Sequence, residues 1–293
     1  MKLTHTHSLL LVFTAGILWS TVGLGIRLIQ EADVWQILLY RSVSLTIFLF
    51  IVIRMRSSDT PLIQVRHAGL PGVIAALSLV VAYAGGIYAL QTTSVANAML
   101  LFAAAPFLAA GLGWGILRER VHSGTWVAIC FAIVGIGIMV SNQTFGGSLK
   151  GSFAALGSAL GFAAFTVTLR WGKESEMLPS VFLSGIFGVV ITAVICVGLG
   201  LPLAISLQDS GISIGMGVFQ VGAGLVLYTL GSKALPAVEL TLMSLAEVLL
   251  APLWVWLLLG ETVTSNTLAG GCVLLGAIAG NAIFSARARS TAS

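Results

Sequence analysis

Charged side chains are scarce in this sequence. Asp, Glu, Lys and Arg make up 8% of the 293 residues and apolar residues 58%, whereas a soluble domain carries charge on roughly a quarter of its positions. Between Ala68 and Leu117 there is no charged residue at all. A bilayer crossing takes about 20 residues, so that stretch holds two crossings, turned at the polar run Gln91-Thr92-Thr93-Ser94. Histidine is also rare, and His5, His7, His67 and His122 all sit at the ends of apolar segments. The three cysteines, Cys130, Cys196 and Cys272, lie inside apolar segments without the close Cys or His partners a metal site needs. No metal site is expected, and the cysteines read as packing residues. A Walker A loop is missing, which leaves direct ATP hydrolysis by this chain unsupported. The apolar segments also hold no Asp and no paired acids at helical spacing, so the chain is not expected to be an enzyme. No cofactor is expected. Energy would come from a gradient, by proton coupling or as facilitated diffusion.

What the sequence has instead is apolar runs. Read between charge and turn clusters, they predict helices near 8–28, 34–53, 68–90, 95–117, 123–141, 149–170, 178–199, 211–232, 236–259 and 265–286. The first run lacks a small-x-small cleavage site before Arg27, so it reads as a span and not a signal peptide. Ten spans put both termini on one side. If that side is the cytoplasm, Lys2, Arg54, Arg56, Arg66, Arg118, Arg120, Arg170, Lys173, Lys233, Arg287 and Arg289 all fall inside. Only Arg27 and Lys150 fall outside, and Arg41 lies within span two. That asymmetry is the positive-inside pattern. The expected setting is the inner membrane, multi-pass, with cytoplasmic termini and the lipid bilayer as partner. The net charge of +4 then reflects topology and not nucleic-acid binding.

The sequence also repeats itself. Shifted by 142 positions, the separation of Glu119 and Glu261, it pairs Leu108 with Leu250, Trp114 with Trp256 and Val121 with Val263. Ser123 meets Ser265, Thr125 meets Thr267 and Cys130 meets Cys272 in the same register. Apolar bias explains matched leucines, but not matched Trp, Glu, Ser, Thr and Cys. Two five-helix copies are expected, over 1–144 and 145–293. Five is odd, so the second copy enters the membrane from the opposite side and the repeats are inverted. The fold class expected is all-α integral membrane, ten transmembrane helices as two inverted five-helix repeats around a central cavity. Inverted repeats are a recurring device of secondary transporters, because two similar halves can exchange conformations and open one site to either face.

The segments Ala105-Pro106-Phe107 to Leu117-Arg118-Glu119 and Glu247-Val248 to Leu259-Gly260-Glu261 resemble the paired repeats of the drug/metabolite transporter superfamily, in its ten-helix EamA-like branch. Each repeat there tends to run from a Ser/Glu-Pro pair through small and apolar residues and a Trp to Leu-Leu-Gly-Glu. Trp19 and Arg41 also look like family positions. Two departures stand out: Val248 replaces the second proline, with Pro252 one turn later, and Arg118 replaces the motif glycine. The resemblance implies a basket of helices around a cavity, alternating access, and export of amino acids or similar small-molecule metabolites. The alternative within it is a multidrug or nucleotide-sugar-type transporter. Sugar phosphates fit less well, since Arg41 is the only cation deep in a span. An intramembrane enzyme or a scaffold is weaker again.

Glu247 falls near mid-membrane, where an acid is expensive unless it faces a cavity or a partner. It reads as a proton-coupling carboxylate or a contact for a substrate amine, or else as hydrogen-bonded helix glue. Arg41, about 10 Å inside span two, reads as a carboxylate holder that could form a zwitterion-binding pair with Glu247, as a structural partner of that acid, or as a snorkelled side chain. Trp19, Tyr83 and Asn97 are candidate cavity residues, against packing roles as the alternative. Gln220, Tyr88 and Tyr228 read as packing or belt residues. Glu239, in the first turn of its span, reads as solvated. Pro106 and Pro252 are expected to kink their helices as matched hinges. Glu119 and Glu261 read as motif residues that cap loops or lock a gate at opposite faces. Gly111-x-x-x-Gly115, Gly157-x-x-x-Gly161 and Gly276-x-x-x-Gly280 suit close helix packing within a monomer, or a dimer contact.

Overall fold

The computed structural model describes residues 5–56, 60–119, 121–141, 147–172, 177–232, 235 and 237–290. They are built almost wholly from helices, in ten crossings. The first half holds α1 (His5–Ser20) with α2 (Val22–Leu28), α3 (Val34–Arg56), α4 (Pro61–Thr92), α5 (Val95–Phe102) with α6 (Ala105–Leu117), and α7 (Ser123–Val140). The second holds α8 (Gly147–Trp171), α9 (Leu178–Gly198), α10 (Leu207–Gly215) with a π-helical stretch (Met216–Ala223) and α11 (Gly224–Ser232), α12 (Ala237–Leu259) and α13 (Ser265–Ser290). The face from which α1 and α12 start is called the terminal face here, and the opposite one the distal face.

The halves interlock. Span one packs against α11 and α12, and its mirror, α8, packs against α4 and α6. Helix α3 lies on α9, and α7 on α13, each beside its own counterpart. Every one of these contacts crosses between halves, so the inverted duplication is built into the packing and not only into the chain order. Backbones approach closest where side chains vanish. A Cβ on Gly135 would meet the Gly270 carbonyl at 2.7 Å, and one on Gly161 would meet the Ser78 carbonyl at 2.9 Å. Of the three GxxxG pairs, only Gly161 sits at such an approach. Gly111, Gly115, Gly157, Gly276 and Gly280 have nothing within 4 Å, because those faces point outward.

Three spans are broken. At Ser20 and Thr21 both hydroxyls donate to carbonyls three residues back, Ile17 at 2.7 Å and Leu18 at 2.6 Å. Such bonding offers the backbone an alternative to the helical ladder. Helix α5 ends at Phe102 because Pro106 has no N–H for the carbonyl four residues earlier and its ring crowds that carbonyl. The expected hinge at Pro106 is thus a full break, with the proline opening α6. At Pro252, the other expected hinge, α12 runs on without interruption. The second half breaks elsewhere, in the π-helical stretch. Helix α4 starts earlier than the predicted 68 because it bends at Gly69, φ 56°, ahead of Pro71.

Helices α6 and α12 end alike. The N–H of Glu119 donates to Gly113 at 3.1 Å, and that of Glu261 to Val255 at 3.4 Å. Each bond requires a left-handed residue just before the acid, Gly260 at φ 68° and Arg118 at φ 55°. Arg118 carries a cost of about 1 kcal/mol there that glycine avoids.

Candidate substrate pathway and its two ends

The centre of the bundle is aromatic on one side. Trp19 of α1 packs on Tyr228 of α11, ring centroids 5.2 Å apart at 39°. Its indole also covers Gly224, where a Cβ would collide with it. One residue on, Ser20 accepts the indole N–H of Trp254 of α12 at 2.9 Å, and Gly16 lies beside the Met243 carbonyl. Met243, Glu247 and Trp254 are spaced four and seven residues apart, so they share one stripe of α12. Glu247 is therefore held on the face turned toward α1, about 15 Å from Ala237 and about 18 Å from Leu259. It is half-buried. Among the described residues its carboxylate has no hydrogen-bond or ion-pair partner.

The other side holds Arg41 and Tyr83. The guanidinium of Arg41 lies 4.6 Å above the Tyr83 ring and is 5% exposed. Among the described residues its Nε has no partner, nor does Oε1 of buried Gln220 in the π-helical stretch. Among the described residues Arg41 and Glu247 form no ion pair with each other. Arg41 is braced against Tyr83 because a buried guanidinium can use a ring face where no carboxylate is in reach. Asn97 does not line the pathway either. It is 1% exposed and donates to Thr93 at 3.0 Å and Ser152 at 2.8 Å, joining α5 to α8. Hence Trp19 stands against α11 while Glu247 lies on the α1-facing stripe of α12, Arg41 and Tyr83 come together, and Asn97 stands apart. The side chain of Glu239 lies outside the described residues.

Each end is closed by an ion pair between the halves. At the distal face Arg27 forks onto Glu261, Nε to Oε2 at 2.8 Å and Nη2 to Oε1 at 3.3 Å. The same guanidinium donates to the carbonyls of Leu90 at 2.8 Å and Thr93 at 2.7 Å. Glu261 in turn accepts the Val95 N–H at 2.7 Å. At the terminal face Arg170 reaches Glu119 at 2.7 Å and the Ala109 carbonyl at 3.4 Å. Glu119 and Glu261 thus lie at opposite faces, each held by an arginine of the other half.

A second distal clamp is Asp209, fully buried in the first turn of α10. Its carboxylate accepts the N–H groups of Gln30, Glu31 and Ala32, each at 3.0 Å. Composition alone did not point to Arg27, Arg170 or Asp209. The two arginines occupy matching places near the ends of spans one and six, which is a signal the repeat contains. Asp209 stands just before its predicted span and carries no signal of its own.

The EamA-like transporter family matches the chain twice, over residues 6–141 and 149–283. Solute carrier family 35 member G1 of Homo sapiens is 26% identical over 199 residues, 62% of this chain and 53% of that protein. The uncharacterized transporter YwfM of Bacillus subtilis is 25% identical over 193 residues, 64% of each chain. A transporter of Clostridium kluyveri is 27% identical over 194 residues, 62% of each. The chain's matched part spans about half to two-thirds of these relatives' own length. A solved crystal structure at 15% identity superposes with a TM-score of 0.65 over 97% of this chain and 99% of that chain, which shows a common fold. With both halves matched, the chain belongs to the EamA-like transporter family, within the drug/metabolite transporter superfamily, as a multi-pass membrane protein.

Proposed function

We propose that this transporter exports small zwitterionic metabolites, amino acids foremost, by alternating access, with both termini in the cytoplasm. The observation that carries the reading is Glu247, a lone acid at mid-depth on the α1-facing stripe of α12, with an ion pair between the halves at either end. A substrate ammonium would sit at Glu247 and its apolar part against Trp19 and Tyr228. Tyr83, braced by Arg41, would form the facing wall. Opening would alternate between the Arg27–Glu261 and Arg170–Glu119 pairs. An acid left without a permanent counter-ion can exchange a proton for substrate, which makes Glu247 the coupling group. The basic residues gathered on the terminal face support its assignment to the cytoplasm.

Flux of labelled amino acids into and out of proteoliposomes, with and without a pH gradient, tests this. At least one amino acid should give saturable flux, and Glu247→Gln should lower it by about tenfold and flatten its pH dependence. A full panel without flux would remove the amino-acid reading, and unaltered pH-dependent flux in Glu247→Gln would remove the coupling role. A second reading, export of amphipathic organic cations, is favoured by the same acid and aromatic pair, and the same panel extended to such cations separates the two.

A further inference from the structure

We infer that the terminal-face end of α6 is a binding site for the phosphate of an anionic phospholipid. A groove of about 780 Å³ opens there, lined by Trp114, Gly115, Arg118, Glu119 and Val121. It lies at the Glu119 end of the molecule, away from the aromatic centre. Trp114 is 56% exposed and meets Trp126 edge-on at 5.4 Å and 89°. Both indoles sit at the membrane–water boundary, where Trp gathers because its ring is amphipathic. Glu119 is neutralised by Arg170. The exposed guanidinium of Arg118 has no partner among the described residues. A groove at headgroup depth with one uncommitted cation, beside a carboxylate already held by Arg170, is complementary to a lipid phosphate.

The second half supplies an internal control. At the matching end of α12, Leu257 stands where the groove has Gly115, and Leu253 and Leu268 stand where the first half has Gly111 and Trp126. Gly260 stands where it has Arg118, in the same left-handed backbone. Motif residues Trp114, Glu119 and Val121 are kept as Trp256, Glu261 and Val263. The halves therefore agree where the helix end and its ion pair are built and differ at Gly115 and Arg118, the lining positions that open and charge the groove. Arg118 holds its left-handed conformation at a cost that Gly260 avoids.

Native mass spectrometry of the protein released from nanodiscs containing phosphatidylglycerol and phosphatidylcholine provides the test. Wild type should retain phosphatidylglycerol selectively. Arg118→Gly, which relaxes the backbone, should weaken that retention about fivefold while unfolding at or above the wild-type temperature. Gly115→Leu, whose new side chain meets open space, should do the same by filling the groove. Wild-type retention in both variants, or no preference for the anionic lipid in wild type, would overturn the proposal. So would displacement of the lipid by millimolar inorganic phosphate, which would make this a soluble-anion site.

Discussion

The two ends of the bundle carry the same motif glutamate and the same crossed arginine, yet they are held very differently. At the distal face the pair is three-quarters buried, with relative exposures of 25% and 24%, and shares its polar atoms with Leu90, Thr93 and Val95. Asp209, Gln36, Tyr40 and Gln91 add bonds to neighbouring loops and helix ends. At the terminal face the exposures are 43% and 38%, and among the described residues a single long bond to Ala109 supports the pair. A partly desolvated, fully bonded pair resists opening far more than a solvated one. The structure is therefore bolted at the distal end and latched lightly at the terminal end, and under the alternating access proposed above the terminal face would open first.

The largest effect is expected from breaking the bolt. Glu261→Ala leaves the Arg27 guanidinium half-satisfied and the Val95 N–H without its acceptor, at a cost of about 3 kcal/mol in thermal unfolding. Exchanging the two charges, Arg27→Glu with Glu261→Arg, should not restore stability. A carboxylate would then face the Leu90 and Thr93 carbonyls, and a guanidinium the Val95 N–H. Recovery in the exchanged protein would mean that the backbone bonds matter less than the charge pair.

A smaller loss, about 2 kcal/mol, is expected for Asp209→Ala, which leaves three N–H groups at Gln30, Glu31 and Ala32 without their acceptor. Cys196, fully buried two residues from the distal end of α9, is a native reporter of this loosening. With Cys130 and Cys272 replaced by alanine, a membrane-impermeant maleimide should label Cys196 faster in the Asp209→Ala protein. An unchanged labelling rate would show that Asp209 holds a turn and not the distal seal.

The ends were legible in the sequence to different depths. Charge-free runs and the repeat register sufficed for ten spans, their inversion, and the placing of Glu119 and Glu261 at opposite faces, because those features depend on local hydropathy and identity. Partner choice was not legible. Arg27 and Glu261 are 234 residues apart, and nothing in composition indicates that each glutamate crosses to the other half. Asn97 looked like a pathway residue by type alone, but its neighbours Thr93 and Ser152 satisfy it. Pro106 and Pro252 looked equivalent as prolines. Only Pro106 breaks its span, and Pro252 sits within a continuous helix. Glu247 was singled out by depth, and the α1-facing stripe that holds it became visible only through Gly16 and Ser20.

The terminal latch should give the smallest change and the sharpest contrast. Glu119→Ala is expected to lower stability by less than about 1 kcal/mol, since both partners are more than a third exposed and salt screens them. Exchanging the charges, Arg170→Glu with Glu119→Arg, should recover most of that loss, because only the 3.4 Å bond to Ala109 depends on which side carries the guanidinium. Raising ionic strength should shrink the Glu119→Ala effect and leave that of Glu261→Ala nearly unchanged. Equal salt sensitivity at both ends would contradict the assignment of bolt and latch, because burial is the difference on which that assignment rests.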